Sequence, residues 1–101
     1  MNKIIKEKMS EIRAMCIMYN IKTLHLFGSA STGNLRDDSD IDMLISFKNI
    51  PVETYTDNYF DFHYDLEKLF NRKIDLVTDN SLSNPYLIES INKTKQLIYA
   101  E

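Results

Sequence analysis

Four residues punctuate this chain of 101: Gly28, Gly33, Pro51 and Pro85 are its only glycines and prolines. Where turns are so few, each one marks a boundary, and the segments between them can be read for periodicity. Ahead of the first glycine, Ile5, Met9, Ile12, Cys16 and Tyr19 recur at four- and three-residue steps. That spacing predicts one helical face over residues 2–19, stopping at Asn20. IKTLHLF, Ile21 to Phe27, reads as a strand cut off by Gly28-Ser29. SASTG leaves room only for a short helix closed by Gly33, and the polar run from Asn34 to Ser39 reads as a loop.

From Asp40 to Phe47 the chain alternates, with Ile41, Met43, Ile45 and Phe47 on one face and Asp40, Asp42, Leu44 and Ser46 on the other. Period two is the mark of a strand. Past Pro51, the apolar positions between Thr54 and Phe70 suit a long helix, followed by a short strand, IDLVT. Asn84-Pro85 is a strong helix start, because asparagine caps and proline is tolerated at the first helical position. That helix is expected to end near Asn92, with QLIYA as an edge strand. The order predicts one α+β domain over residues 1–101, a mixed sheet with helices mainly on one face.

Composition narrows the function. The 44% hydrophobic fraction is that of a globular chain. No apolar run approaches the ~18 residues a membrane span needs, and the charged N-terminus does not resemble a signal peptide. One cysteine, Cys16, allows neither an internal disulfide nor a cysteine metal site, so a cytoplasmic address and no membrane partner are expected. A net charge of -3 is poor for gripping a phosphate backbone, and long nucleic acid is not expected as a partner.

The chemistry concentrates in Gly28–Asp42, GSASTGNLRDDSDID. Gly28-Ser29 lies between a strand and a helix start, where free backbone N–H groups favour an anion and glycine lets a ligand approach. Ser29 adds a hydroxyl donor. Asp40 and Asp42, two apart in a strand, would point the same way with α-carbons roughly 6.5–7 Å apart. Like charges side by side cost energy unless a cation joins them, and magnesium takes such oxygen ligands. Asp75, isolated among apolar residues in the next strand, can join the pair in a sheet. Three carboxylates and two divalent ions would leave a net positive site, attractive to a nucleoside triphosphate. His63, His25, Cys16 and the helix tyrosines Tyr55, Tyr59 and Tyr64 read as structural, and Asp37 and Asp38 as solvated loop acids.

Gly-Ser, ten residues, then Asp-x-Asp, with Gly33 and Ser39-Asp40-Ile41-Asp42, resembles the signature of the DNA polymerase β nucleotidyltransferase superfamily. Nearly the whole chain is similar to minimal nucleotidyltransferase (MNT) proteins, through LFGSASTGNLRDDSDIDMLISF, RKIDLVT and NPYLIESI. These are often encoded beside a HEPN-domain ribonuclease toxin and act as its antitoxin. The resemblance implies a polymerase β-like fold and transfer of a nucleoside monophosphate, AMP from ATP or its counterpart from another NTP, to a hydroxyl. It further implies Gly28 and Ser29 on the triphosphate, and Asp40, Asp42 and Asp75 as catalytic ligands of two Mg²⁺ ions, with Mn²⁺ able to substitute.

The implied partner is a HEPN toxin, with one of its tyrosines as acceptor. A homo-oligomer stays open. The chain departs from the family at Thr32, where many members carry arginine; Arg36, Arg72 and Lys73 are the cations that could replace it. Two alternatives stand beside this reading: an antitoxin that neutralises by contact with a vestigial nucleotide site, and an antibiotic nucleotidyltransferase.

Overall fold

The computed structural model describes residues 2–33 and 35–101; Asn34, the first residue of the expected loop, lies outside them. Two helices, α1 (Lys3–Glu7) and α2 (Met9–Met18), lead into strand β1 (Ile21–Phe27) and a one-turn helix α3 (Ser29–Thr32). Strand β2 (Ile41–Phe47), helix α4 (Val52–Phe70) and strand β3 (Ile74–Thr78) follow. A 3₁₀ turn at Asp79–Ser81 precedes helix α5 (Pro85–Thr94) and strand β4 (Gln96–Ala100). The strands lie in the order β3-β2-β1-β4. β1 runs antiparallel to β2 and β4, and β2 runs parallel to β3, with α4 as the crossover. The sheet is mixed, as expected.

The expected first helix is two. At Lys8 (φ -107°, ψ 10°) the backbone leaves the α conformation, and its N–H reaches back three residues to Ile5 O at 3.0 Å. The tight turn divides the helix but keeps the apolar stripe, since Ile5, Ile12 and Cys16 are all fully buried. α4 starts at Val52, two residues earlier than its apolar pattern suggested. Pro51 caps it where no N–H is needed, and its carbonyl accepts from Tyr55 N–H at 2.9 Å. α5 begins as expected, with Asn84 Oδ1 accepting from the N–H groups of Tyr86 and Leu87. It runs on to Thr94, two residues beyond the expected end.

The alternation in β2 is realised in packing. Ile41, Met43 and Ile45 are completely buried in one cluster with Ile12 and Cys16 of α2 and Phe62 and Leu66 of α4. Burying each such side chain contributes about 1.5–3 kcal/mol. The opposite face keeps Asp42, Leu44 and Ser46 only half-buried. Because β2 and β3 run together while β1 runs against them, the start of β2, the start of β3 and the end of β1 share one end of the sheet. No helix among the described residues is long and apolar enough to cross a membrane.

Candidate active site

At that end the parallel register sets Asp42 directly beside Asp75, and the antiparallel register sets Phe27, the last residue of β1, beside Asp42. The Asp42 carboxyl lies within hydrogen-bonding reach of Asp75. Asp42 is pushed up to about 6, first by burial, then by the charge of Asp75, the hydrogen bond with Asp75 and the charge of Asp40. A half-buried acid held against another acid is a site that lacks positive charge.

Asp40 differs from its expected place. It is exposed and directly precedes β2, whose ladder with β3 opens at Ile41 and Ile74. The ladder starts one residue later, at Ile41, whose N–H donates to Lys73 O at 3.1 Å. Asp40 is still near enough for its charge to act on Asp42.

Gly28 meets the carboxylates from β1. Its φ is +64°, a conformation side chains rarely adopt, and a β-carbon there would lie 2.6 Å from Asp42 Oδ2. Glycine is thus required twice, for the turn and for the closeness of Asp42. Its carbonyl accepts from Ser31 and Thr32, by backbone N–H and by hydroxyl from each. Its own N–H donates to Thr94 Oγ1 at 3.0 Å, tying α5 to the site. The amides of Ser29 and Ala30 open α3, where helical geometry gives them no carbonyl four residues back. The Ser29 hydroxyl has no hydrogen-bond partner among the described residues.

The residues suggested as substitutes for the missing arginine serve elsewhere or stay in solvent. Arg72 donates through Nη1 to Arg36 O at 3.0 Å and Ser39 O at 3.3 Å, pinning the turn that leads into Asp40. Arg36 N–H closes the same turn onto Ser39 Oγ at 3.2 Å. Arg36 and Lys73 are exposed. Asp37 and Asp38 are exposed in this turn, as expected of loop acids.

Of the residues read as structural, Cys16 lies in the core and His25 on β1, while Tyr64 is exposed. Cys16 is fully buried, and burial pushes its thiol up to about 12. His25 is half-buried on β1, and burial, then the charge of Lys95, hold it below the usual imidazole range. Its Nδ1 is without a hydrogen-bond partner among the described residues.

The donor set fits a hard divalent cation in its chemistry: oxygen ligands, and like charges close enough to raise the Asp42 carboxyl. No ready-made cluster of three or more acid, histidine or cysteine ligands is gathered among the described residues. Asp42 and Asp75 supply the preformed pair, and Asp40 stands on an exposed approach. A separate cavity of about 480 Å³, lined by Tyr55, Thr78 and Ser81 among others, sits at the far end of β3 from Asp75.

Thr94 and Arg72 were not singled out in the sequence for these roles. A helix expected to end at Asn92 gave no reason to look at Thr94.

The family model described as polymerase β nucleotidyltransferase matches residues 10–101. A Methanocaldococcus jannaschii chain assigned as a protein adenylyltransferase is 34% identical over 97 residues, covering 96% of this chain and 84% of that one. A solved structure described as a minimal nucleotidyltransferase superposes with a TM-score of 0.76 at 23% identity, over 91% of this chain and 90% of the other. The MNT antitoxin solved in complex with a tri-AMPylated HEPN toxin of Shewanella oneidensis gives 0.65 at 16% identity, over 95% of this chain and 72% of that chain.

Proposed function

The chain belongs to the polymerase β nucleotidyltransferase family, and on that premise we propose that it moves AMP from ATP to a tyrosine hydroxyl of a HEPN-domain toxin and acts as that toxin's antitoxin. The observation that carries the reading is the in-register pair Asp42 and Asp75, with Asp42 packed against a glycine whose positive φ and close contact disfavour any side chain. The relative assigned as a protein adenylyltransferase and the fold shared with an antitoxin bound to an AMPylated toxin support the choice of group and partner.

In this reading Asp40, Asp42 and Asp75 hold Mg²⁺, two ions by analogy with the family, with Mn²⁺ an acceptable substitute. When bound, the metal supplies positive charge that draws in the triphosphate and stabilises the departing pyrophosphate. Gly28 lets the Asp42 carboxylate sit against the turn, and the opening amides of α3 with the Ser29 hydroxyl bind the phosphates. The acceptor oxygen, held about 3–3.5 Å from the α-phosphorus, forms the new P–O bond. The bond from that phosphorus to the bridging oxygen of the β-phosphate breaks, and pyrophosphate leaves. The acceptor's proton passes to the Asp75 carboxylate, which is exposed on an outer strand. The acceptor itself is supplied by the partner protein.

The test uses labelled ATP, Mg²⁺ and a HEPN protein encoded next to this one. Wild type should label the partner, and Asp40→Ala should abolish labelling. Ser29→Ala should weaken it mildly, since a neutral hydroxyl contact contributes about 0.5–1.5 kcal/mol. Full labelling by Asp40→Ala would overturn the assignment.

A further inference from the structure

β3 is an outer strand of the sheet, so one of its edges has no strand beside it. In a strand the N–H and C=O of alternate residues point to opposite edges. Lys73 O turns toward β2, where it accepts from Ile41 N–H. Ile74 and Leu76 therefore turn their peptide groups outward. An open edge leaves such groups unpaired unless something covers them.

One stripe of α4 covers them. Tyr59, His63 and Glu67 are spaced four apart and so share a helix face. Glu67 Oε2 accepts from Ile74 N–H at 3.1 Å. His63 Nε2 donates to Ile74 O at 2.7 Å, and the Tyr59 hydroxyl donates to Leu76 O at 2.8 Å. His63 Nε2 also lies 3.5 Å from Glu67 Oε2, linking two of the three side chains. The bonded groups belong to the residues immediately before and after Asp75. β4, the other outer strand, receives no side-chain hydrogen bond on Gln96–Ala100 among the described residues, so the stripe is not a general treatment of sheet edges here.

We propose that Tyr59, His63 and Glu67 are positioning residues that fix the β3 backbone on both sides of Asp75 and so hold its carboxylate against Asp42. This rests on reading the carboxylates as a metal site. Support for a ligand by its outer neighbours is a general feature of metal sites, and removing one such neighbour typically weakens metal binding about ten-fold or more.

The experiment measures Mn²⁺ binding to the otherwise wild-type chain by titration calorimetry, with amide exchange at Ile74 followed by NMR. Glu67→Ala and Tyr59→Phe should bind Mn²⁺ about ten-fold more weakly. Glu67→Gln keeps an acceptor for Ile74 N–H and should bind within about two-fold of wild type. Tyr19→Phe removes a hydroxyl bond from α4 to its other neighbour, at Asp65, and should leave Mn²⁺ binding unchanged. The proposal is overturned if Glu67→Ala and Tyr59→Phe bind like wild type, or if Tyr19→Phe loses as much as they do. If Glu67→Ala does not fold, the contrast between Tyr59→Phe and Tyr19→Phe decides in the same way.

If wild type takes up no Mn²⁺, the metal reading fails, and the positioning role is judged by exchange alone. Slow exchange of Ile74 N–H in wild type and Glu67→Gln, with fast exchange in Glu67→Ala, upholds it. Equal rates in all three overturn it.

Discussion

A β-carbon on residue 28 would stand 2.6 Å from Oδ2 of Asp42, closer than side chains ever pack. Gly28→Ala therefore has to move the carboxylate or the turn, and it also forces alanine into a φ of +64°. We predict a loss of about 1–3 kcal/mol in stability, the usual cost of a strained backbone position. AMP transfer should fall further than the loss of folded protein accounts for, because the displaced group is the central carboxylate. Thermal melting with transfer measured at equal folded fraction checks this. A variant that melts and reacts like wild type would show that the closeness of Gly28 and Asp42 is incidental.

The raised Asp42 carboxyl gives stability a pH dependence of unusual sign. Folded Asp42 keeps its proton up to about pH 6, whereas an unfolded aspartate releases it near ~3.9. Between those values the folded state binds more protons, so stability falls as pH rises through the window, and the cost is fully present above it. Asp42 is only half-buried, so after solvent screening the effect is on the order of 1 kcal/mol. Asp42→Asn should flatten this slope and melt higher than wild type at pH 7 without metal. Millimolar Mn²⁺ should raise the melting temperature of wild type by mass action and leave Asp42→Asn unmoved. A wild-type curve that neither slopes downward from pH 4 to 6 nor responds to Mn²⁺ contradicts the account.

Thr94 reaches the site from the end of α5, where its hydroxyl accepts from Gly28 N–H and donates to Ser90 O at 3.1 Å. Thr94→Val keeps the volume and removes both bonds. We predict a stability loss of about 1–2 kcal/mol, since Gly28 N–H is left unpaired. The KM for ATP should rise more than kcat falls if, as proposed, the Gly28 turn carries the amides that bind the phosphates. A fall in kcat with unchanged KM would place Thr94 in the chemistry instead.

The sequence made the carboxylate pair visible because both its signals are local. Asp42 sits in an alternating run, and Asp75 stands alone in a short apolar strand. Asp40 was harder: DIDMLISF alternates from its first residue, but the ladder begins only where Ile41 bonds Lys73 O, a contact no local pattern encodes. The division of the first helix at Lys8 left no mark either, because the apolar stripe continues across it. Thr94 with Gly28, and Tyr59, His63 and Glu67 with β3, are side-chain bonds to distant backbone. Such bonds depend on which surfaces the fold brings together, so in the sequence Tyr59 and His63 read as plain helix residues.

The central claim is that this chain places AMP on its partner, and the most direct measurement is mass spectrometry of a neighbouring HEPN protein after co-expression. The account predicts one or more added AMP groups, mapped to tyrosine, in the presence of wild type and none with Asp42→Asn. A partner that stays unmodified yet is still neutralised by Asp42→Asn would contradict it, leaving an antitoxin that works by contact alone.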